Sequence, residues 1–195
     1  MASAFTEQEQ IIIRKALKDA ALEFAATLGM RKTTVEQLAD KADISKGAFY
    51  KFYDTKESLF FEMLEDAHTE FYNAALEVIT TRTDLPASKR TAMAILRVCE
   101  LLEEKSFMNF IEKDMPILMR KIPSEQLQKH YHNDDIHIKG VIVESGLKLS
   151  VSPEVASAVI RGIMLTLLQR EHLGEHYHTV LSIMVEGACE KIILN

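Results

Sequence analysis

The chain has 195 residues, 47% of them hydrophobic and 27% charged, with a formal net charge of −6. That length can bury one or two cores, and the balance is that of a soluble globular protein, not of one whose whole surface grips nucleic acid. No stretch reaches the ~18 uncharged apolar residues of a membrane span, and Met1 to Gln10 lack the basic-then-apolar order of a signal peptide, so a cytoplasmic location is expected.

Apolar residues recur at helical spacing almost throughout, without β-alternation, and Gly and Pro number only 7 and 4. Thr6-x-x-Glu9 is a capping-box signature and opens a first helix, with Ile12, Ala16, Ala20 and Phe24 on one face and Gly29 as its stop. Thr34-x-x-Gln37 opens a short second helix to about Lys41. Ser45 caps a third, and Thr55 a fourth that runs to about Thr80. After the break at Leu85-Pro86, helices are expected from Ala87 to Lys105 and from Phe107 to Met119, with Pro116 ending or kinking the latter. Ile122-Pro123 starts a helix to about Ser145, stopped by Gly146. Ser152-Pro153 starts one to about His172, Gly174 breaks it, and a last helix covers Glu175 to Leu194. The fold class expected is all-α, with about nine helices and no sheet.

Charge is unevenly spread. Up to Lys56 there are nine Lys/Arg against eight Asp/Glu, and the remainder holds fourteen against twenty-one. A near-neutral head on an acidic body permits a local DNA face. Cys99 and Cys189 lack metal-ligand spacing and are expected to be reduced, mostly buried thiols.

Val35 to Phe52 has the length pattern of a helix-turn-helix, two short helices about the turn Ala42-Asp43-Ile44. Leu38, Ala42, Ile44 and Phe49 supply a small core, Ala39 allows close helix approach, and Asp43 stands where the turn needs a left-handed residue. Thr33-Thr34-Val35, Ser45-Lys46-Gly47-Ala48-Phe49-Tyr50 and Lys56-Glu57-Ser58-Leu59 together resemble the signature of the TetR family of transcriptional regulators, over about the first 60 residues. Asp43 departs from the family's usual turn glycine, Phe52 stands where many members carry Tyr or His, Tyr53 where they carry Phe, and Asp54 adds a negative charge.

The resemblance implies a helix-turn-helix DNA-binding domain over residues 1–54 and a ligand-binding and dimerisation domain over 55–195. It implies a recognition helix at about Ser45 to Phe52. Free N–H groups at that helix's start suit a phosphate, Lys46 adds charge, Gly47 and Ala48 let the backbone approach base edges, and Tyr50 and Lys51 can reach phosphates or bases. Thr34 and Lys56 are expected phosphate contacts. The implied function is that of a sequence-specific regulator, a repressor released from a palindromic DNA operator by a small apolar or aromatic inducer.

The two last helices are apolar nearly all round, which fits a helix facing a partner as well as its own core. The resemblance makes them a homodimer interface through Val159, Ile163, Leu167, Ile183, Met184 and Gly187. It also makes the Met- and Phe-rich stretch a candidate ligand pocket, drawn from Leu96, Cys99, Phe107, Phe110, Ile111, Met115, Met119, Met164 and Leu168. No nucleophile motif, phosphate loop or catalytic carboxylate pair stands out, so neither catalysis nor a cofactor is expected. Glu65-x-x-His68 and Glu175-x-x-His178 have the spacing of metal-binding helix bundles. Chance alone gives about 0.7 such pairs at this Glu and His content, so two are unremarkable; no metal site is expected, and a helical metal-binding protein is the alternative.

Overall fold

The computed structural model describes residues 5–105 and 107–194, apart from the side chains of residues 134, 135, 168 and 169. Helix α1 (Glu7–Ala26) begins at the expected capping box, in which the Thr6 hydroxyl accepts from the Glu9 N–H and the Glu9 carboxylate accepts from the Thr6 N–H. Its buried face is Ile13, Leu17, Ala20, Ala21 and Phe24. Ile12, expected inside, is 58% exposed. Three consecutive isoleucines leave the register open by one helical step, and Leu17, fully buried, decides it.

Helices α2 (Val35–Lys41), α3 (Lys46–Phe49) and α4 (Lys56–Thr81) follow. Thr34 caps α2 with a second capping box, Ser45 caps α3, and the Thr55 hydroxyl accepts from the Ser58 N–H at the start of α4. The chain divides into two compact units: residues up to 67 together with 107–127, and 68–105 together with 128–194. The first unit thus takes in the start of α4 and reaches past residue 54.

Within the first unit, the stretch expected as one helix from Phe107 is two elements, a π-helical turn (Phe110–Asp114) and helix α6 (Met115–Lys121). Helix α5 (Ala87–Glu104) precedes them in the second unit. The π-turn passes the Met115 N–H to the Phe110 carbonyl, and Pro116 falls in the first turn of α6, where its missing N–H costs nothing. Phe110 is fully buried, stacked on Phe60 at 6.1 Å and tilted against Phe107 at 5.1 Å.

Helix α7 (Ser124–Glu144) ends before Gly146, whose φ of +65° turns the chain out of the helix. Helix α8 (Pro153–Leu165) stops short of the expected His172. A 3₁₀ turn (Thr166–Gln169) and a short helix α9 (Arg170–Leu173) replace its end. The Thr166 hydroxyl donates to the Ile163 carbonyl at 2.6 Å, a side-chain bond that competes with the helical ladder where the helix tightens. Helix α10 (Tyr177–Ile192) packs on α5 and α8.

The absence of any sheet needs one small correction. Lys148–Leu149 (β1) pairs antiparallel with Ile193–Leu194 (β2), so the last helix ends at Ile192. Leu147 and Ile193 enter one core cluster with Ile79, Ala94, Ala156 and Ile192, and pairing satisfies the backbone beside it. Cys99 and Cys189 are buried and unbonded, and desolvation pushes both thiols up to about 12, which leaves them inert as nucleophiles at neutral pH. Among the described residues no helix is long and apolar enough to cross a membrane.

Candidate nucleic-acid interface

Helix α2 packs against both α1 and α3, and the contact is built as the sequence requires. Leu38, Ala39 and Phe49 are fully buried, and Ala42 is 8% exposed. Asp43 adopts φ +54°, the left-handed conformation its place in the turn demands, and the Ile44 N–H then bonds to the Ala39 carbonyl. Phe52 and Tyr53, two of the departures from the family signature, follow α3 and are buried, with the Arg14 guanidinium over both rings. Both therefore serve the head's interior rather than its surface.

The expected DNA contacts sort into two groups. Thr34, Ser45, Lys46, Gly47, Tyr50 and Lys51 are exposed, with Ala48 half-buried among them. A Cβ added to Gly47 meets only the Ser45 Oγ, at 3.9 Å, so nothing inside the chain demands glycine there. The Lys46 ammonium pairs with Glu36 across the exposed surface, which raises the Lys46 pKa and lowers that of Glu36. Lys51 lies over the Phe5 ring at 5.2 Å. Tyr50 is half exposed and meets Phe49 edge-on.

Lys56 is different. Its ammonium donates to the carbonyls of Met30 at 2.8 Å, Arg31 at 3.3 Å and Thr33 at 2.6 Å. An ammonium has three protons, and all three are committed to the loop between α1 and α2. Desolvation leads the causes that lower its pKa. The side chain is a brace for the head and has no proton left for a phosphate. Lys56→Met is expected to cost about 2–3 kcal/mol in denaturant titration, because three carbonyls lose a charged donor. The salt dependence of DNA binding should stay unchanged; a slope shallower by about 0.9 in log–log units would return Lys56 to the phosphate contacts.

A second brace lies outside anything the sequence singles out. Asp114, 3% exposed, accepts from the Met30 N–H at 2.8 Å and from the Arg31 Nε at 3.2 Å. Gly29 makes room for it: with φ +79°, a Cβ there would lie 2.7 Å from the Asp114 Oδ2. Lys56 therefore holds the loop by its carbonyls and Asp114 by an N–H. No local pattern betrays this, because Asp114 and Met30 are 84 residues apart.

The residues expected at a subunit contact divide. Ile163 is 5% and Leu167 1% exposed, and Val159 packs on the chain's own core cluster, so these three face inward. Ile183 at 67%, Met184 at 39% and Gly187 face outward from α10. The expected pocket residues divide as well. Phe107, Phe110, Ile111, Met115 and Met119 belong to the first unit, and Leu96, Cys99 and Met164 to the second. The Leu168 side chain lies outside the described residues.

Residues 17–63 match the family model for bacterial regulatory proteins of the tetR family. An HTH-type transcriptional regulator of Bacillus subtilis, YuxN, is 31% identical over 132 residues, covering 64% of this chain and 43% of its own length. This chain thus matches less than half of that relative. A Mesorhizobium loti protein assigned to the TetR-family transcriptional regulators shares the fold with a TM-score of 0.65, at 18% identity and covering 95% of this chain and 96% of its own. The regulator FadR of B. subtilis, crystallised with stearoyl-CoA, has a TM-score of 0.58 at 20% identity, covering 89% and 98%.

Proposed function

We propose that the chain is a regulator of the TetR family, a homodimeric repressor that leaves a palindromic operator when an apolar ligand binds; the match of residues 17–63 and the shared fold support the family. The observation that carries this reading is the exposed row Thr34, Ser45, Lys46, Tyr50 and Lys51 on a head whose interior is fixed by Leu38, Ala39 and Phe49. Side chains on such a row meet phosphates and base edges once α3 enters a major groove. The Glu36–Lys46 pair is no obstacle: it is exposed and screened by solvent, and a phosphate can take over the ammonium.

The dimer is supported by α8 and α10, which leave Val155, Leu165, Ile183 and Met184 open to solvent in one chain. A two-fold pair presents two recognition helices, hence an operator of two inverted half-sites about 34–36 Å apart, one DNA turn. The ligand class is supported by the Met- and Phe-rich stretch from Phe107 to Met119 and, by analogy, by the stearoyl-CoA held by FadR. Long-chain acyl and planar aromatic compounds are the candidates.

The test has two steps. Footprinting on DNA beside the gene is expected to protect two inverted half-sites; a single asymmetric site contradicts the dimer reading. Acyl and aromatic compounds are then screened for a raised melting temperature and for release of that DNA. A hundredfold release needs about 2.7 kcal/mol of coupling between ligand and head. If no compound does either, the inducer fails and a regulator working through protein contacts replaces it.

A further inference from the structure

Histidines gather in one place in the second unit. His68 on α4 and His130 on α7 stack with ring centroids 5.0 Å apart and planes 26° from parallel. His130 is 3% exposed. Tyr72, one turn along α4, meets the His68 ring edge-on at 6.3 Å and the His137 ring at 4.8 Å. The His137 Nδ1 is buried without a hydrogen-bond partner. The sequence offers two Glu-x-x-His pairs, and the fold treats them differently. Glu175 and His178 are exposed at the entry to α10, whereas Glu65 and His68 stand half-buried on a continuous helix beside a third donor.

We propose that Glu65, His68 and His130 bind a divalent transition-metal ion. The ligand atoms of His68 and His130 lie within 4.8 Å of each other, and Glu65, one helical turn before His68, brings a carboxylate oxygen within the same distance of it. Two imidazole nitrogens and one carboxylate suit borderline ions such as zinc, cobalt or nickel, not calcium or magnesium, which prefer oxygen throughout. Donors at about 2.0–2.1 Å from a tetrahedral ion are about 3.3–3.4 Å from one another. Binding therefore requires the side chains to rotate until the stacked rings point their nitrogens at a common centre. Three protein donors leave a coordination position open, as in exchangeable sites and unlike the four-ligand sites that only hold a fold together. Tyr72, edge-on to His68, walls one side of the cluster, and the His137 ring meets that neighbourhood through Tyr72.

The site does not depend on the operator reading, and its test reads metal rather than DNA. The full chain is stripped with a chelator and titrated with cobalt(II), followed by visible ligand-field absorption, and zinc stoichiometry is measured by equilibrium dialysis. One equivalent per chain is expected, with the bands of nitrogen- and oxygen-bound cobalt. Glu65→Gln and His68→Ala, neither fully buried, should each weaken binding at least tenfold, the lower end of what removing a supporting residue costs a metal site, with the helical circular-dichroism signal unchanged. His178→Ala should leave it intact. His130→Ala should abolish it, and if that variant unfolds the two others decide. No cobalt bands, or binding that survives Glu65→Gln and His68→Ala, or a loss that His178→Ala shares, overturns the proposal.

Discussion

Gly187→Glu is expected to turn the proposed dimer into monomers without disturbing the fold of either chain. A Cβ at Gly187 meets nothing within 4 Å, so the single chain has room for the new side chain. Gly187 lies on the outward side of α10, one turn beyond Ile183 and Met184, while Leu181, Val185 and Cys189 on the same helix are buried. If a partner helix covers that side, the substitution buries a carboxylate without a cation, at a cost of about 3–5 kcal/mol. Each ~1.4 kcal/mol is a factor of ten, so the dissociation constant of that dimer should rise by about two to three and a half powers of ten. Light scattering should report monomers with unchanged helical content, and operator affinity should collapse because a lone half-site binds weakly. A variant that stays dimeric at micromolar concentration and keeps its DNA affinity places the interface away from α10.

Asp114→Ala is expected to loosen the head itself. The carboxylate is the hydrogen-bond acceptor of the buried Met30 N–H and the partner of Arg31. Arg31 is 58% exposed and can return to water, so giving up that pairing costs little. The Met30 N–H has no such recourse, and a buried donor left unmade costs about 1–3 kcal/mol, to which the emptied volume adds. A loss of about 3 kcal/mol is expected in denaturant titration, together with weaker DNA binding, because the loop it holds leads directly into the Thr34 cap of α2. Asp114→Asn keeps an acceptor oxygen for Met30 and should recover part of that stability. If Asp114→Ala is as stable as the parent chain, the Asp114–Met30 bond is not what fixes the loop.

Much of the head was legible because its signals are local. The caps at Thr6, Thr34 and Ser45 each act within three residues, and the Asp43 turn follows from one backbone angle. The register of α1 was not, because Ile11, Ile12 and Ile13 offer three equivalent faces and only packing chooses Ile13. Lys56 looked like a surface cation because sequence gives its charge but not the three carbonyls that consume its protons. Asp114 had no signal at all, since its work is done on a loop 84 residues away. The apolar character of the stretch from Pro153 was visible, but sequence cannot say which of its residues a chain keeps for itself, and Ile163 on α8 and Leu167 in the 3₁₀ turn are among those it does. The break at Thr166 is likewise a choice between a side-chain bond and a backbone bond that periodicity does not record.

Whether residues 34–51 present a face that reads double-stranded DNA is tested most directly by selecting genomic fragments on the purified chain and on a Lys46→Ala, Lys51→Ala double variant. Both lysines are exposed and away from the braces at Lys56 and Asp114, so the variant should fold normally. The parent is expected to enrich a two-fold symmetric sequence. The variant should bind it more weakly, with a salt slope shallower by about 0.9 for each phosphate that each subunit no longer neutralises. Enrichment of no common sequence by the parent, or equal enrichment and equal salt dependence for both proteins, would contradict a DNA-reading role for this face.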